Sequence, residues 1–245
     1  MIPKIIHYIW VGGKPLTPLA EKCIQSWKKN CPDYEIKRWD ESTFDINQNQ
    51  YCKEAYESKK WAFVSDYIRL KVLFEYGGIY MDTDVEVIKP LDEFLVHPAF
   101  SGFENNTQIP TGIMAAEKNN KWIENLLNDY NHRHFIKEDG SFDYTTNVVL
   151  ITEKTKEMFP EINLNNSYQK FEQVVFYPND YFCPIDYETK KLRKTENTHT
   201  IHWFAGSWVP KSFKNKIKNF IKKILGKKLS DKIRAKKNRK KERNK

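Results

Sequence analysis

A three-layer α/β domain is the fold that the first 90 residues predict, and three observations predict it. Short apolar runs at 4–11, 34–39 and 79–81 are separated by segments with helical period at 18–30 and 61–76. The junctions carry turn residues: Gly12-Gly13 with Pro15 and Pro18, then Pro32-Asp33, then Gly77-Gly78. Strands that alternate with helices in this way pack as a sheet covered on both faces.

The elements follow in order. Residues 4–11 read as a buried strand ended by the glycine pair. Thr17 is placed to cap a helix to about residue 30, with Leu19, Cys23, Ile24 and Trp27 at helical spacing. Residues 34–39 alternate as a second strand. A helix over 61–76 puts Ala62, Asp66, Arg69 and Leu73 on one face and Phe63, Tyr67, Leu70 and Phe74 on another, and Gly77 ends it. Ile79-Tyr80-Met81 is a strand running into Asp82-Thr83-Asp84, and 85–88 continues extended to Pro90. Further strands are expected at 100–103, 112–116, 174–177 and 200–203, with a helix over roughly 119–130. Residues 131–170 are weakly patterned, and 147–151 suits either a helix or a strand.

Length and charge bound the rest. The 245 residues fit one domain with an appendage, and seven Trp, 13 Tyr and 15 Phe supply a sizeable core. Cys23, Cys31, Cys52 and Cys183 form no C-x-x-C pair, so neither a disulfide framework nor a zinc site is expected, which favours a reducing, cytoplasmic setting. The apolar run near the N-terminus is too short to span a bilayer. The net charge of +9 is unevenly shared: residues 211–245 hold 17 Lys or Arg against Asp231 and Glu242, a net of +15, which leaves residues 1–210 at −6. The boundaries expected are a domain over 1–210 and a basic tail over 211–245. In that tail Phe213, Ile217, Phe220, Ile221, Ile224 and Leu225 recur at three- and four-residue intervals. They read as a basic amphipathic helix for an anionic membrane surface, or as a solvated helix that covers the core. Nucleic-acid binding through the tail is the alternative from another class, disfavoured by the acidic body.

The chemistry concentrates at Gly77-Gly78-Ile79-Tyr80-Met81-Asp82-Thr83-Asp84. Two carboxylates at i and i+2 past an apolar strand stand at the sheet edge where α/β domains bind ligands, and their hard oxygens suit Mn²⁺ or Mg²⁺ together with phosphate. Upstream, Ser65-Asp66 and Arg69 share a helix face and can converge on one ligand, although such a pair also occurs as a surface ion pair.

The pattern S-D-x-x-R followed by G-G-x-Y-x-D-x-D resembles the DxD-containing sugar-binding region of glycosyltransferase family 32, and is distantly similar to the clostridial glucosylating toxins. The opening Ile2-Pro3-Lys4-Ile5-Ile6-His7-Tyr8-Ile9-Trp10, the later Ser26-Trp27 and Trp39-Asp40, and the ending His202…Ser207-Trp208 fit the same family. The resemblance covers roughly 2–92 and 199–208. It implies a GT-A-type, Rossmann-like fold and transfer of a hexose, with retention, from a nucleotide-sugar to a saccharide or lipid-linked saccharide in surface polysaccharide synthesis. It places metal at Asp82, Asp84 and His202, with Asp82, Asp84, Asp66 and Arg69 as catalytic residues. The donor contacts it implies are Trp10, Ser65, Asp66, Arg69, Tyr80, Asp82, Ser207 and Trp208. Trp10 stands as a platform for uracil or as a core tryptophan, so UDP-galactose, UDP-glucose and UDP-N-acetylglucosamine are favoured donors and GDP-mannose the alternative. Thr111-Gly112 and Asn147 fall where the family places sugar contacts.

Overall fold

The computed structural model describes residues 1–206, apart from 111, 187, 188 and 190. The tail assigned to residues 211–245, together with Ser207 and Trp208, lies outside the described residues.

The predicted alternation is what folds. Strand β1 (Ile5–Ile9) leads to helix α1 (Pro18–Asn30), whose first turn is capped by Thr17 Oγ1 accepting from Ala20 N at 3.2 Å. Strand β2 (Glu35–Trp39) pairs parallel to β1, and helix α3 (Trp61–Tyr76) returns the chain to β3 (Gly78–Met81), parallel to β1 on its other side. Before α3 stands a helix that the sequence pattern did not announce, α2 (Gln50–Glu57), capped by Asn49 Oδ1 accepting from Cys52 N. After Asp82-Thr83-Asp84 the chain forms β4 (Val85–Val87), then β5 (Ala99–Gly102), β6 (Ile113–Ala116) and helix α4 (Lys121–Asn128). The weakly patterned stretch contains helix α5 (Asn147–Met158), so the helical option holds for Asn147. The short β7 (Gln169–Lys170), β8 (Val175–Tyr177), α6 (Asn179–Phe182) and β9 (Thr200–His202) complete the described residues.

Seven strands form one mixed sheet in the order β2-β1-β3-β6-β5-β8-β7, and β4 pairs with β9 as a separate two-stranded ribbon. Side-chain alternation divides the core between two faces. His7, Ile9 and Tyr80 point to the layer of α2, α3 and α4. Tyr8 points the opposite way and meets Trp27 of α1 edge-on, with ring centroids 5.8 Å apart. The apolar stripes expected on α3 are both covered: Phe63 to Leu70 are all buried, because the helix lies between the sheet and the α2–α4 layer.

Two buried polar groups lock this frame around the strand ends. His7 accepts from Trp39 Nε1 at Nδ1 (3.0 Å), which leaves Nε2 to donate to Gly77 O at 2.7 Å. Burial pushes that imidazole down to about 4, so it is neutral near pH 7. Gly77 and Gly78 have φ of +67° and +104°, and a Cβ on Gly78 would stand 2.7 Å from Ile5 O. The glycine pair therefore both ends α3 and lets β3 enter the sheet tight against β1. On the far side, Glu54 of α2 accepts from the backbone N–H of Phe135 and Ile136 at 2.8 and 3.0 Å, tying down an irregular loop.

Candidate active site

β3 delivers Asp82 to the sheet edge, and the turn that follows makes the site. Asp82 N donates to Gly112 O, and Val85 N closes the turn onto Asp82 O at 2.9 Å. The chain then leaves the main sheet as β4, which α1 holds through three polar contacts. Trp27 Nε1 donates to Val85 O, Asn30 Nδ2 donates to Val87 O, and Ser26 Oγ accepts from Val87 N. The Ser26-Trp27 pair noted in the sequence is thus the clamp that orients the strand following the aspartates.

The β4–β9 ribbon brings in the third member. Its antiparallel register sets Val85 opposite His202, so the imidazole falls beside the aspartates. His202 Nε2 lies 3.3 Å from Asp84 Oδ1 and 3.9 Å from Asp82 Oδ2. One ligand atom from each of the three residues lies within 4.8 Å of the others. Burial alone would lower the His202 pKa, but the Asp84 carboxylate beside it raises it well above the usual value. Burial alone would likewise raise Asp84, and the imidazolium with the Ala205 amide (2.7 Å to Oδ2) holds it below the usual carboxylate range. Two carboxylates and an imidazole at these separations could hold a divalent cation, for which the imidazole would have to give up its proton.

Behind this triad lies a second, buried layer. Arg69 is 4% exposed and Asp66 7%, so this is no surface pair. Arg69 donates from Nη2 to Asp66 Oδ1 at 3.0 Å and from Nε to Ser65 O at 3.2 Å, and its Nη1 stands 3.6 Å from Asp82 Oδ1. Its guanidinium lies 4.5 Å over the Tyr80 ring, and the Tyr80 hydroxyl donates to Asp82 Oδ1 at 2.5 Å. One Asp82 oxygen is thereby fixed against Tyr80 and Arg69, while the other turns toward His202. Burial pushes the Asp66 carboxyl up to about 6, with Arg69 opposing the shift.

Most sequence-assigned residues therefore converge: Asp82, Asp84 and His202 in the triad, with Tyr80, Arg69, Asp66 and Ser65 behind it. Trp10 is placed differently. It is 3% exposed, its indole N–H donates to Lys14 O at 2.6 Å, and it sits in the core rather than presenting a face for stacking. Gly112 gains a defined part, because a Cβ there would stand 2.7 Å from His202 Nδ1. The imidazole occupies the space that a side chain would fill. The Ala205 amide contact to Asp84 had no signal in residue identity, since any non-proline residue offers that donor.

Residues 18–101 match the family model described as "glycosyltransferase sugar-binding region containing DXD motif". Over these residues the chain is similar to the glycosyltransferases of this family. The two-carboxylate turn, the Asp66–Arg69 pair and the Ser26-Trp27 clamp all lie inside the matched region. Among curated relatives, inositol phosphoceramide mannosyltransferase 3 of Schizosaccharomyces pombe is 32% identical over 130 residues, covering 50% of this chain and 35% of that protein. An uncharacterised glycosyltransferase of Acanthamoeba polyphaga mimivirus is 24% identical over 86% of this chain and 85% of its own length. The chain spans only 27% and 35% of the first two curated relatives it matches. A solved glycosyltransferase involved in glycosylation of the major capsid of PBCV-1 aligns at a TM-score of 0.48 with 13% identity, covering 82% of this chain and 94% of that one.

Proposed function

We propose that this glycosyltransferase domain moves a hexosyl group from a nucleoside-diphosphate sugar to a hydroxyl of a saccharide or lipid-linked saccharide, with retention of anomeric configuration. The observation that carries the reading is the Asp82–Asp84–His202 cluster set against the buried Asp66–Arg69 pair. In the transfer, the sugar's anomeric C–O bond to the diphosphate breaks as the acceptor oxygen bonds to the same carbon. The acceptor's proton passes to the departing diphosphate. Asp82, Asp84 and His202 would hold a divalent cation, which would supply positive charge against that leaving group.

The chain's own residues orient this exchange. Arg69 fixes Asp82 and Asp66 from behind, so the carboxylates keep their spacing without reorganising as charge develops. Asp66 and Ser65, by the family resemblance, would take hydroxyls of the sugar and ribose. A double displacement would need a free carboxylate nucleophile close to the sugar. Asp66 is committed to Arg69, and a bound cation would occupy the Asp82/Asp84 pair, which favours front-face substitution. Ser207 and Trp208, by the family resemblance, add donors to the diphosphate.

The fission-yeast relative's name, a phosphoceramide mannosyltransferase, supports a lipid-borne acceptor. The lysine-rich pattern of residues 211–245 supports peripheral binding to an anionic membrane. Among the described residues no helix is long and apolar enough to cross a membrane. Flotation with anionic vesicles, full chain against a chain ending at Pro210, tests the tail, and equal flotation rejects it. The activity itself is tested by a donor panel with Mn²⁺, reading release of the nucleoside diphosphate. Turnover of at least one donor, abolished in Asp84→Asn, is expected, and equal turnover by that variant rejects the assignment.

A further inference from the structure

Beyond the end of β1 lies an open cavity of about 680 Å³, lined by Gly12, Gly13, Glu41, Tyr56 and Trp61, with Lys14 and Lys59 as its cations. That volume is in the range of small-molecule sites. Its place follows from the register. β1 and β3 run parallel with His7 beside Tyr80, so the chain past Ile9 emerges on the same edge as Asp82. Helix α3 joins the two places. Trp61, Ser65 and Arg69 are spaced i, i+4, i+8 and share one face, so the cavity wall and the Arg69–Asp82 contact stand about 12 Å apart along the helix. A nucleotide lying along this row would put its base at Trp61 and its diphosphate at Asp82.

The wall is built rather than incidental. Gly12 has φ +90°, and a Cβ on it would stand 2.7 Å from Trp61 Cε2, so the loop can approach the indole this closely only as glycine. Tyr56 braces the ring from another side, with centroids 5.2 Å apart. Glu41 is also in the lining: its Oε1 accepts from Gly12 N at 2.5 Å and from Tyr56 Oη at 3.1 Å, which fixes the carboxylate at the cavity wall. Trp10, whose indole is buried and bonded to Lys14 O, presents no such surface.

We propose that this cavity is the nucleobase subsite, that Trp61 is its stacking platform, and that Glu41 selects guanine. The inference rests on the nucleotide-sugar reading above. An ionised carboxylate only accepts hydrogen bonds. The pairing edge of guanine offers two adjacent donors, N1–H and the 2-amino group. Uracil offers a single N–H flanked by two carbonyl oxygens, which a carboxylate repels. A site that hydrogen-bonds one ligand's donors rejects the ligand that lacks them. The donor is therefore a guanosine-diphosphate sugar.

Isothermal titration of the full chain with GDP and UDP in Mn²⁺ tests this in wild type, Glu41→Gln, Trp61→Leu and Trp61→Phe. The expected results are GDP tighter than UDP by roughly tenfold or more, and a preference that falls to within about threefold in Glu41→Gln. Trp61→Leu should weaken both nucleotides by about tenfold, the scale of one base–aromatic stack, and Trp61→Phe should recover most of it. UDP equal to or tighter than GDP overturns the guanine assignment and leaves the transferase reading standing. Neither nucleotide binding to wild type overturns both. Unchanged affinity in Trp61→Leu overturns the platform. Glu41 has an exposed side chain, so its variant reports on selectivity independently of folding.

Discussion

His202 Nε2 stands 3.3 Å from Asp84 Oδ1 because the β4–β9 ribbon sets His202 opposite Val85, the residue next to Asp84. The two groups attract each other as a charged pair, and a cation bound between them would replace that proton-mediated attraction. Mn²⁺ should therefore raise the melting temperature, by the linkage RT ln(1 + [L]/Kd), about 2.7 kcal/mol at a hundredfold excess over Kd. Asp84→Asn and His202→Ala should each lose most of that rise and about 100-fold or more in turnover. Thermal melts with Mn²⁺ and with EDTA check the first, and initial rates the second.

Gly112 should be intolerant of any side chain. Its Cβ would meet the His202 ring at 2.7 to 3.1 Å, and a packed ring backed by strand β9 has little room to retreat. In Gly112→Ala the imidazole is pushed off its position, with an expected loss of about 10- to 100-fold in metal affinity. Melting without metal should also fall, because the displaced imidazole loses part of its contact with Asp84, so Mn²⁺ titration of the variant below its own melting point separates lost metal affinity from unfolding.

Arg69 is held by groups that only a guanidinium can satisfy together: Asp66, the Ser65 carbonyl, Asp82 and the face of Tyr80. Arg69→Met leaves Asp66 buried without its cation and should cost about 3–5 kcal/mol in urea unfolding. Arg69→Lys keeps the charge but not the fork, so it should fold better than Arg69→Met and still lose activity.

His7 gives stability a pH dependence of known sign. Its folded pKa is depressed to about 4 from 6.5, so between these values the unfolded chain binds a proton that the folded one does not. Its contribution is complete above pH 6.5 and is lost as pH falls through about 4, on the order of 3 kcal/mol in total. The Asp66 carboxyl, raised to about 6, works in the opposite direction over much of the same window, favouring the folded state as pH falls. The His7 effect is therefore read as a difference: His7→Gln should show a shallower acid loss of unfolding free energy than wild type between pH 6.5 and 4.

Elements with a strong period and a local stop were legible in the residue order alone: α1 with its Thr17 cap, α3 with Gly77, and β1 to β3 with their glycine junctions. Helix α2 was not. Its eight residues are too few to show a helical period, and its place is set by contacts distant in sequence, chiefly Glu54 binding the backbone of Phe135 and Ile136. The candidate metal-ligand set was legible as residue types, yet nothing local places His202 beside Asp84.

The amino-acid order by itself determined which groups this protein carries for its chemistry: the strand-borne Asp82 and Asp84, the helical Asp66 and Arg69, and the His202 block. Local periodicity and turn chemistry are short-range, so they can be read without knowing what packs where. Burial and register are long-range, and only the tertiary structure decided them. It turned the Asp66–Arg69 pair from a surface bridge into a buried brace for Asp82. It took Trp10 into the core and left Trp61 at the cavity. It also brought His202 to the aspartates through one strand register, where a slip of a single residue would have turned the imidazole to the other face.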